Sequence, residues 1–325
     1  MRKTVNYSLL LFCAAQVCTA SAMQVLEEKD LAATTAQDGI NMGLYFPNGN
    51  IAYDSIAVTD NDGIAGSTTH QQAASIVIAS DLNASQRGVS LQQANGIEST
   101  APIQVAVDAD GNAGEALANI NIAMPTDAPL IHINPMAVYL TAGADSIYQN
   151  GSIQPNATKI LSIGNKGVDI LFKSDETLGF NIQLGHASQG HMFQVSSGSL
   201  MCIANNAMCI TGGDDDGSDP IKLYDKSGSS IQLGFKLSAS NTSTGVRLYQ
   251  HGNFSGVYGD IVNSGVVFGA DGTMDKFDEN LSNITLGQAG TQDPSTMNNL
   301  KNGSIGNIGM KGIAITDFKT TVKGL

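Results

Sequence analysis

Two cysteines, four acidic turns and one close pair of histidines are the side chains whose type and spacing could do chemistry in this chain. In Met201-Cys202-Ile203-Ala204-Asn205-Asn206-Ala207-Met208-Cys209-Ile210 the central asparagines tolerate positive φ and suit a two-residue turn. Such a turn sets Ile203 opposite Met208 and Cys202 opposite Cys209. Facing residues of an antiparallel pair lie about 4.5–5.5 Å apart at Cα, within reach of a disulfide. The spacing therefore predicts a Cys202–Cys209 bond in an oxidising compartment. A metal site would want more Cys or His nearby, and a redox pair a two-residue spacer, so a hairpin staple is favoured over both.

The acidic turns are Asp60-Asn61-Asp62-Gly63, Asp108-Ala109-Asp110-Gly111-Asn112, the run Asp214 to Asp219, and Asp271-Gly272 followed by Asp275, Asp278 and Glu279. Alternating Asp and Asn before Gly can bring several oxygens round Ca²⁺, which takes six to eight. Asp60, Asp62, Asp108, Asp110, Asp271 and Asp275 are thus weak calcium candidates, but none belongs to a loop closed by a bidentate Glu at the twelfth position. Asp-Gly is also what a plain hairpin turn requires, and that reading is preferred at each site. No cofactor is expected. His186 and His191 flank Ala187-Ser188-Gln189-Gly190 and are expected to face each other across a hairpin, yet no third ligand stands near them in sequence.

Other catalytic signatures are missing. The chain holds no Gly-x-Ser-x-Gly elbow, no His-Glu-x-x-His pair and no Gly-Lys-Ser/Thr phosphate loop. No acid/base pair stands out among its 29 scattered carboxylates, so the expectation is that it is not an enzyme and has no identifiable small-molecule substrate.

The elements that must carry these residues are strands. Short alternating runs such as Ser75-Ile76-Val77-Ile78, Ile103 to Val107, Ile120-Asn121-Ile122 and Ile231 to Leu237 each close on Gly, Asn, Asp or Pro. Period two over four to eight residues marks antiparallel strands with one buried face. With 36 glycines and only 14% charged residues, the composition agrees. The predicted fold is all-β: antiparallel strands in an elongated sandwich or flattened barrel, with one short N-terminal helix over Leu26 to Thr34. A β-solenoid is the alternative. The quartets Leu161-Ser162-Ile163-Gly164, Ile182-Gln183-Leu184-Gly185, Ile231-Gln232-Leu233-Gly234 and Ile284-Thr285-Leu286-Gly287 hint at a repeat, but their spacing is too uneven for coils of fixed length, and they read as a recurring strand end. Gly303, Gly306, Gly309 and Gly312 fall at every third residue, which in a strand predicts a bend or close approach to another backbone.

At the amino end, Arg2 and Lys3, the apolar stretch Ser8 to Val17 and Ala20-Ser21-Ala22 form a secretory signal over residues 1–22. Cys13 and Cys18 lie inside it, but neither has the small preceding residue that lipoprotein processing would want. The expected organisation is the signal, a short helical segment over 23–40 and a β-rich body over 41–325, with a loop or sub-boundary near 213–220 where Asp, Gly and Pro cluster. The net charge is −13, and loss of Arg2 and Lys3 makes the mature chain more acidic still. That balance argues against nucleic acid, whose phosphates demand Lys and Arg, and against anionic lipid. No membrane span is expected in the mature form; Lys319 and Lys323 near a carboxyl end without a terminal aromatic argue against an outer-membrane barrel.

The block Met23-Gln24-x-Leu26, acidic through Asp30, then Leu31-Ala32, Thr35 and Gln37-Asp38-Gly39-Ile40, resembles the start of the FilA-like pilus assembly proteins, exported proteins of Gram-negative bacteria. Their signal is followed by a Leu, acidic, Leu-Ser/Ala stretch ending in Thr-Gly-Gln-Asp-Gly-Ile; this chain has Ala36 in place of that Gly. The resemblance implies a non-enzymatic protein of a surface filament, structural or adhesive, located in the periplasm, at the outer cell surface or in the extracellular filament. Its partners would be other envelope or pilus proteins, with Leu26, Leu31, Gln37, Asp38, Gly39 and Ile40 as the assembly segment. The alternative function is a secreted β-rich binding module for glycan or calcium, unrelated to pili.

Overall fold

The computed structural model describes residues 39–46, 50–80, 88–111, 116–142, 157–185, 189–200, 210–214, 217–241, 245–248, 256–287 and 302–323. The chain divides into two units, Met1–Ile40 and Asn41–Leu325. The fold is all-β: strands and bridges take up 62% of the described residues, none of which is helical, and the antiparallel sheets include a curled half-barrel. The expected helix over Leu26 to Thr34 lies outside the described residues.

The chain lays its strands alternately into two sheets. β1 (Ile40–Leu44) opens the first; β2 (Asn50–Ile51), β3 (Ser55–Asp60), β4 (Ala74–Ser80) and β5 (Val89–Gln92) enter the second. β6 (Ile103–Asp110) and β7 (Leu117–Ala123) return to the first, and β8 (Leu130–Ile133), β9 (Met136–Ala142), β10 (Thr158–Ser162) and β11 (Val168–Leu171) go back to the second. β12 (Gly179–Gly185) and β13 (Phe193–Ser197) join the first, after which β14 (Ser199–Leu200) leaves both. β15 (Ile210–Gly212), β16 (Ile221–Tyr224) and β17 (Ser230–Ala239) extend the second sheet, and β18 (Val246–Arg247) pairs with β14. β19 (Val257–Val262) and β20 (Gly265–Thr273) add to the first, β21 (Phe277–Leu286) and β22 (Ser304–Ile313) to the second, and β23 (Thr316–Val322) closes the first.

Spatial order follows sequence order in both sheets. The first runs β1-β6-β7-β12-β13-β19-β20-β23. The second is a set of long antiparallel lines, most of them interrupted at one level. β2 pairs with β5 and β3 with β4; β5 and β4 pair in turn with β8 and β9; these pair with β11 and β10, and these with β15 and β16. β17 spans both halves unbroken, bonding β16 through Ser230–Leu233 and β15 through Phe235–Leu237, while β21 follows its other edge.

The breaks fall into register and form a crease across the sheet, its described residues being 52–54, Gly88, Asn134-Pro135, 163–167, 213–214 and 217–220. In β17 the crease is the register shift between Gln232 and Gly234, and in β21 the shift around Asn283, whose φ is 49°. Backbone crowding makes glycine necessary here. A Cβ on Gly167 (φ 77°) would drive into the Ile133 carbonyl, and one on Gly88 (φ 87°) into that of Ile51. The strands on either side of 213–220, the segment expected from its composition to be a loop or sub-boundary, both bond to β17.

Side chains from both sheets meet in the core. Leu91 and Ile131 of the second pack with Ile103, Val105, Ile120 and Ile122 of the first. Phe172, Leu200, Ala239 and Val246 make a second cluster, in which the β14–β18 pair is packed against Ile131, Ile170, Ile210 and Leu237. Beyond the crease, small residues pack tightly: Val77, Ala79 and Ala137 are each no more than 1% exposed.

Candidate functional site

The densest polar cluster centres on His191, in the connection from β12 to β13. Its Nδ1 lies 2.6 Å from Asp260 Oδ2 on β19, its Nε2 3.2 Å from Asp271 Oδ2 on β20, and its ring stacks on Tyr258 at 3.7 Å between centroids. Asp260 also accepts the Met192 N–H at 2.8 Å. Burial, with the nearby Asp271 and Asp260 carboxylates, pushes the Tyr258 hydroxyl above its usual pKa. Both ring nitrogens are engaged and one ring face is covered, so the imidazole has no nitrogen to offer a substrate or a metal. The cluster fastens the β12–β13 turn to β19 and β20.

A second cluster sits at the crease. Asp219, 8% exposed, accepts the backbone N–H of Asn165 at 2.7 Å and of Lys166 at 2.8 Å, tying the β15–β16 corner to the β10–β11 corner. Asp214 accepts from Lys166 Nζ at 2.6 Å and from Ser218 Oγ at 2.8 Å, and these bonds hold its carboxyl below the usual carboxylate range. On the first sheet, Asn181 Nδ2 donates to Asn119 Oδ1 and Asn121 Oδ1, and Gln183 Nε2 to Asn119 Oδ1, a polar ladder across β7 and β12. A shallow concavity of about 480 Å³ at the tips of β6, β7 and β12 is lined by Ala109, Leu117, Ala118 and Leu184 with Asp110, and its lining gathers no set of converging polar groups.

The residues singled out from the sequence fall in separate places. Cys202 and Cys209 lie outside the described residues, as do Leu26, Leu31, Gln37, Asp38 and His186. The strands flanking the cysteines do not pair with each other: β14 bonds β18, and β15 has β11 on one edge and β17 on the other. Gly39 has a φ of 60°, and Ile40 opens β1. Asp60 Oδ1 accepts from the N–H groups of Asp62 and Gly63 at 3.2 and 3.3 Å, a turn bonded to itself. Asp108 and Asp110 stand on β6, opposite Asn119 and Leu117, rather than in the turn. Asp271 bonds His191, whereas Asp275 accepts the N–H and Nε of Arg247. Among the described residues no group of three or more His, Cys, Asp or Glu is placed to hold a metal.

Sequence reasoning missed the open edges. β1 and the β2–β3 line border one end of the two sheets, β23 and β22 the other. Both ends expose apolar side chains: Ile40, Met42, Leu44, Ile56 and Val58 at the first, Ile305, Ile308, Met310, Phe318 and Val322 at the second. Edge strands ordinarily carry charge or are covered. An apolar row also crosses the second sheet beyond the crease, where Ile56, Ile78, Val138, Leu161, Leu223, Ile231 and Leu286 stand opposite one another strand by strand. Leu223 and Leu286 are more than half exposed within it. Alternation in β3 was a signal available in the sequence, but edge position follows from pairings far apart in the chain.

Among the described residues no helix is long and apolar enough to cross a membrane. Comparison of the chain with protein-family models, with known proteins and with solved structures finds no match.

Proposed function

We propose that the protein is a non-enzymatic, exported component of a bacterial surface filament, structural or adhesive, acting through contacts with other envelope or pilus proteins. The observation that carries this reading is the pair of sheets whose edge strands, at both ends, are exposed and present apolar side chains to solvent. Backbone edges of this kind recruit further strands, which is how subunits of a filament can be joined without a ligand or an active site. The engagement of both His191 nitrogens supports a structural role for the densest polar cluster. The block Met23 to Ile40, with its resemblance to the FilA-like pilus assembly proteins, supports export followed by assembly.

In this reading residues 1–22 direct export, Met23 to Ile40 serve assembly or localisation, and Cys202–Cys209 is a staple formed after export. The test removes Gln24 to Thr35 behind an intact signal and follows the protein by surface immunogold labelling and fractionation. Export and melting like the parent, with label lost from surface filaments, are the expected result. Label that never coincides with filaments, in parent and deletion alike, would remove the filament reading.

A further inference from the structure

Resting on that reading, we infer that the partner at the open edges is a second copy of this chain, added head to tail so that both sheets continue across the junction. Strand direction supplies the first argument. The first sheet has eight strands, and the lines of the second, interrupted or not, also number eight, from β2–β3 to β22. Neighbours are antiparallel, so an even number leaves the last strand of each sheet opposed to the first. A copy brought up without inversion therefore offers β1 antiparallel to β23, and β2–β3 antiparallel to β22, at the same time. An odd count in either sheet would have forced a parallel junction in it.

Length and side chains agree. β22 runs ten residues, and the line it would meet runs from Asn50 to Asp60; β23 runs seven against the five of β1. Every residue of β1 and of β23 is exposed, as is β22 from Ser304 to Lys311. A Cβ built on Gly303, Gly306 or Gly312 meets nothing within 4 Å; the backbone of Gly306 (φ 113°) and Gly312 (φ 70°) itself requires glycine, and the space beside all three is open to an incoming chain.

Charge selects the partner edge. Between Ile40 and Gly63 the chain carries Asp54, Asp60 and Asp62 and no basic residue; from Asn302 to Lys323 it carries Lys311, Lys319 and Lys323 against a single Asp317. In a chain of net charge −13, a basic end is unusual. Lysines on an edge discourage pairing with a like edge. Opposite charge at the other end makes that end the partner these edges accept. A head-to-tail contact is heterologous and does not close on itself, so it grows into a line.

The test uses the full chain purified after export, with two variants altered only at exposed edge positions. Met42→Lys with Val58→Lys blocks the head; Lys311→Glu with Lys319→Glu blocks the tail. Sedimentation velocity over a roughly hundredfold range of concentration should show the parent growing through dimers to longer species. Each variant alone should stay monomeric with a parent-like melting curve. Mixed in equal amounts they should associate again, because the free tail of one meets the free head of the other and the two altered edges carry opposite charge. A parent monomeric throughout, or a singly blocked variant that still dimerises through its remaining edge, would overturn head-to-tail pairing; both results are independent of whether immunogold places the protein on filaments.

Discussion

Asp219 joins two corners of one sheet through a single buried carboxylate, and the energy of that arrangement resides in the N–H groups of Asn165 and Lys166 that it satisfies. Buried donors deprived of an acceptor are costly, so Asp219→Ala is expected to lower stability by about 2–4 kcal/mol in urea unfolding. The same change at Asp60, which bonds only to its own exposed turn, should cost under about 0.5 kcal/mol. Equal losses at the two positions would show that the crease does not depend on this carboxylate. Asp214 gives a pH signature. Lys166 and Ser218 lower its folded pKa below 3.8, so its contribution is fully present above that value and disappears as the pH falls through the lower folded one, where the unfolded chain takes up the proton first. Removing the partner with Lys166→Met should flatten the acid limb of the stability curve below about pH 4 by a small amount, because Lys166 is largely exposed. An unchanged acid limb would mean that the ion pair contributes nothing to folding.

Among the elements, the crease is where backbone conformation is most constrained. Gly167 combines a left-handed φ with a carbonyl in the path of any Cβ, so Gly167→Ala is expected to destabilise by roughly 1–3 kcal/mol, while Gly190→Ala, at similar φ but in open space, should cost only the backbone term of about 1 kcal/mol. Melting temperatures of the two variants would separate collision from conformation. Strand existence was legible in the residues: β4, β6, β7 and β17 lie where alternation put them. The Gly quartets end strands at Gly164, Gly185 and Gly287, yet Gly234 falls inside β17, at the shift where the crease crosses it. A period of two reports which face is buried but not which strand lies alongside. Hence the crease, the partners of His191 on strands 69 and 80 residues away, and the division of β17 between β15 and β16 could not be read from the chain. The same limit bears on the cysteines. β14 and β15 pair with different neighbours, so a Cys202–Cys209 bond would close a segment whose flanking strands do not pair with each other. Peptide mapping without reductant after export should recover the two cysteines linked; two free thiols would remove the staple.

For the molecule as a whole, the acidic turns are taken up by backbone N–H groups, His191 and Arg247, and no three ligands converge among the described residues. Excess chelator should therefore leave Tm within about 1 °C of its starting value; a fall of many degrees would reveal a metal coupled to the native state. The order of the strands has a consequence for how such a chain can be made. A polypeptide emerges from the ribosome amino end first, and here each new hairpin finds its neighbouring strand already delivered. Neither sheet asks a late strand to wedge between two early ones. Construction can keep pace with delivery: apart from the starting edges, β1 and the β2–β3 line, the edge left open at each stage is one that a later strand of the chain covers.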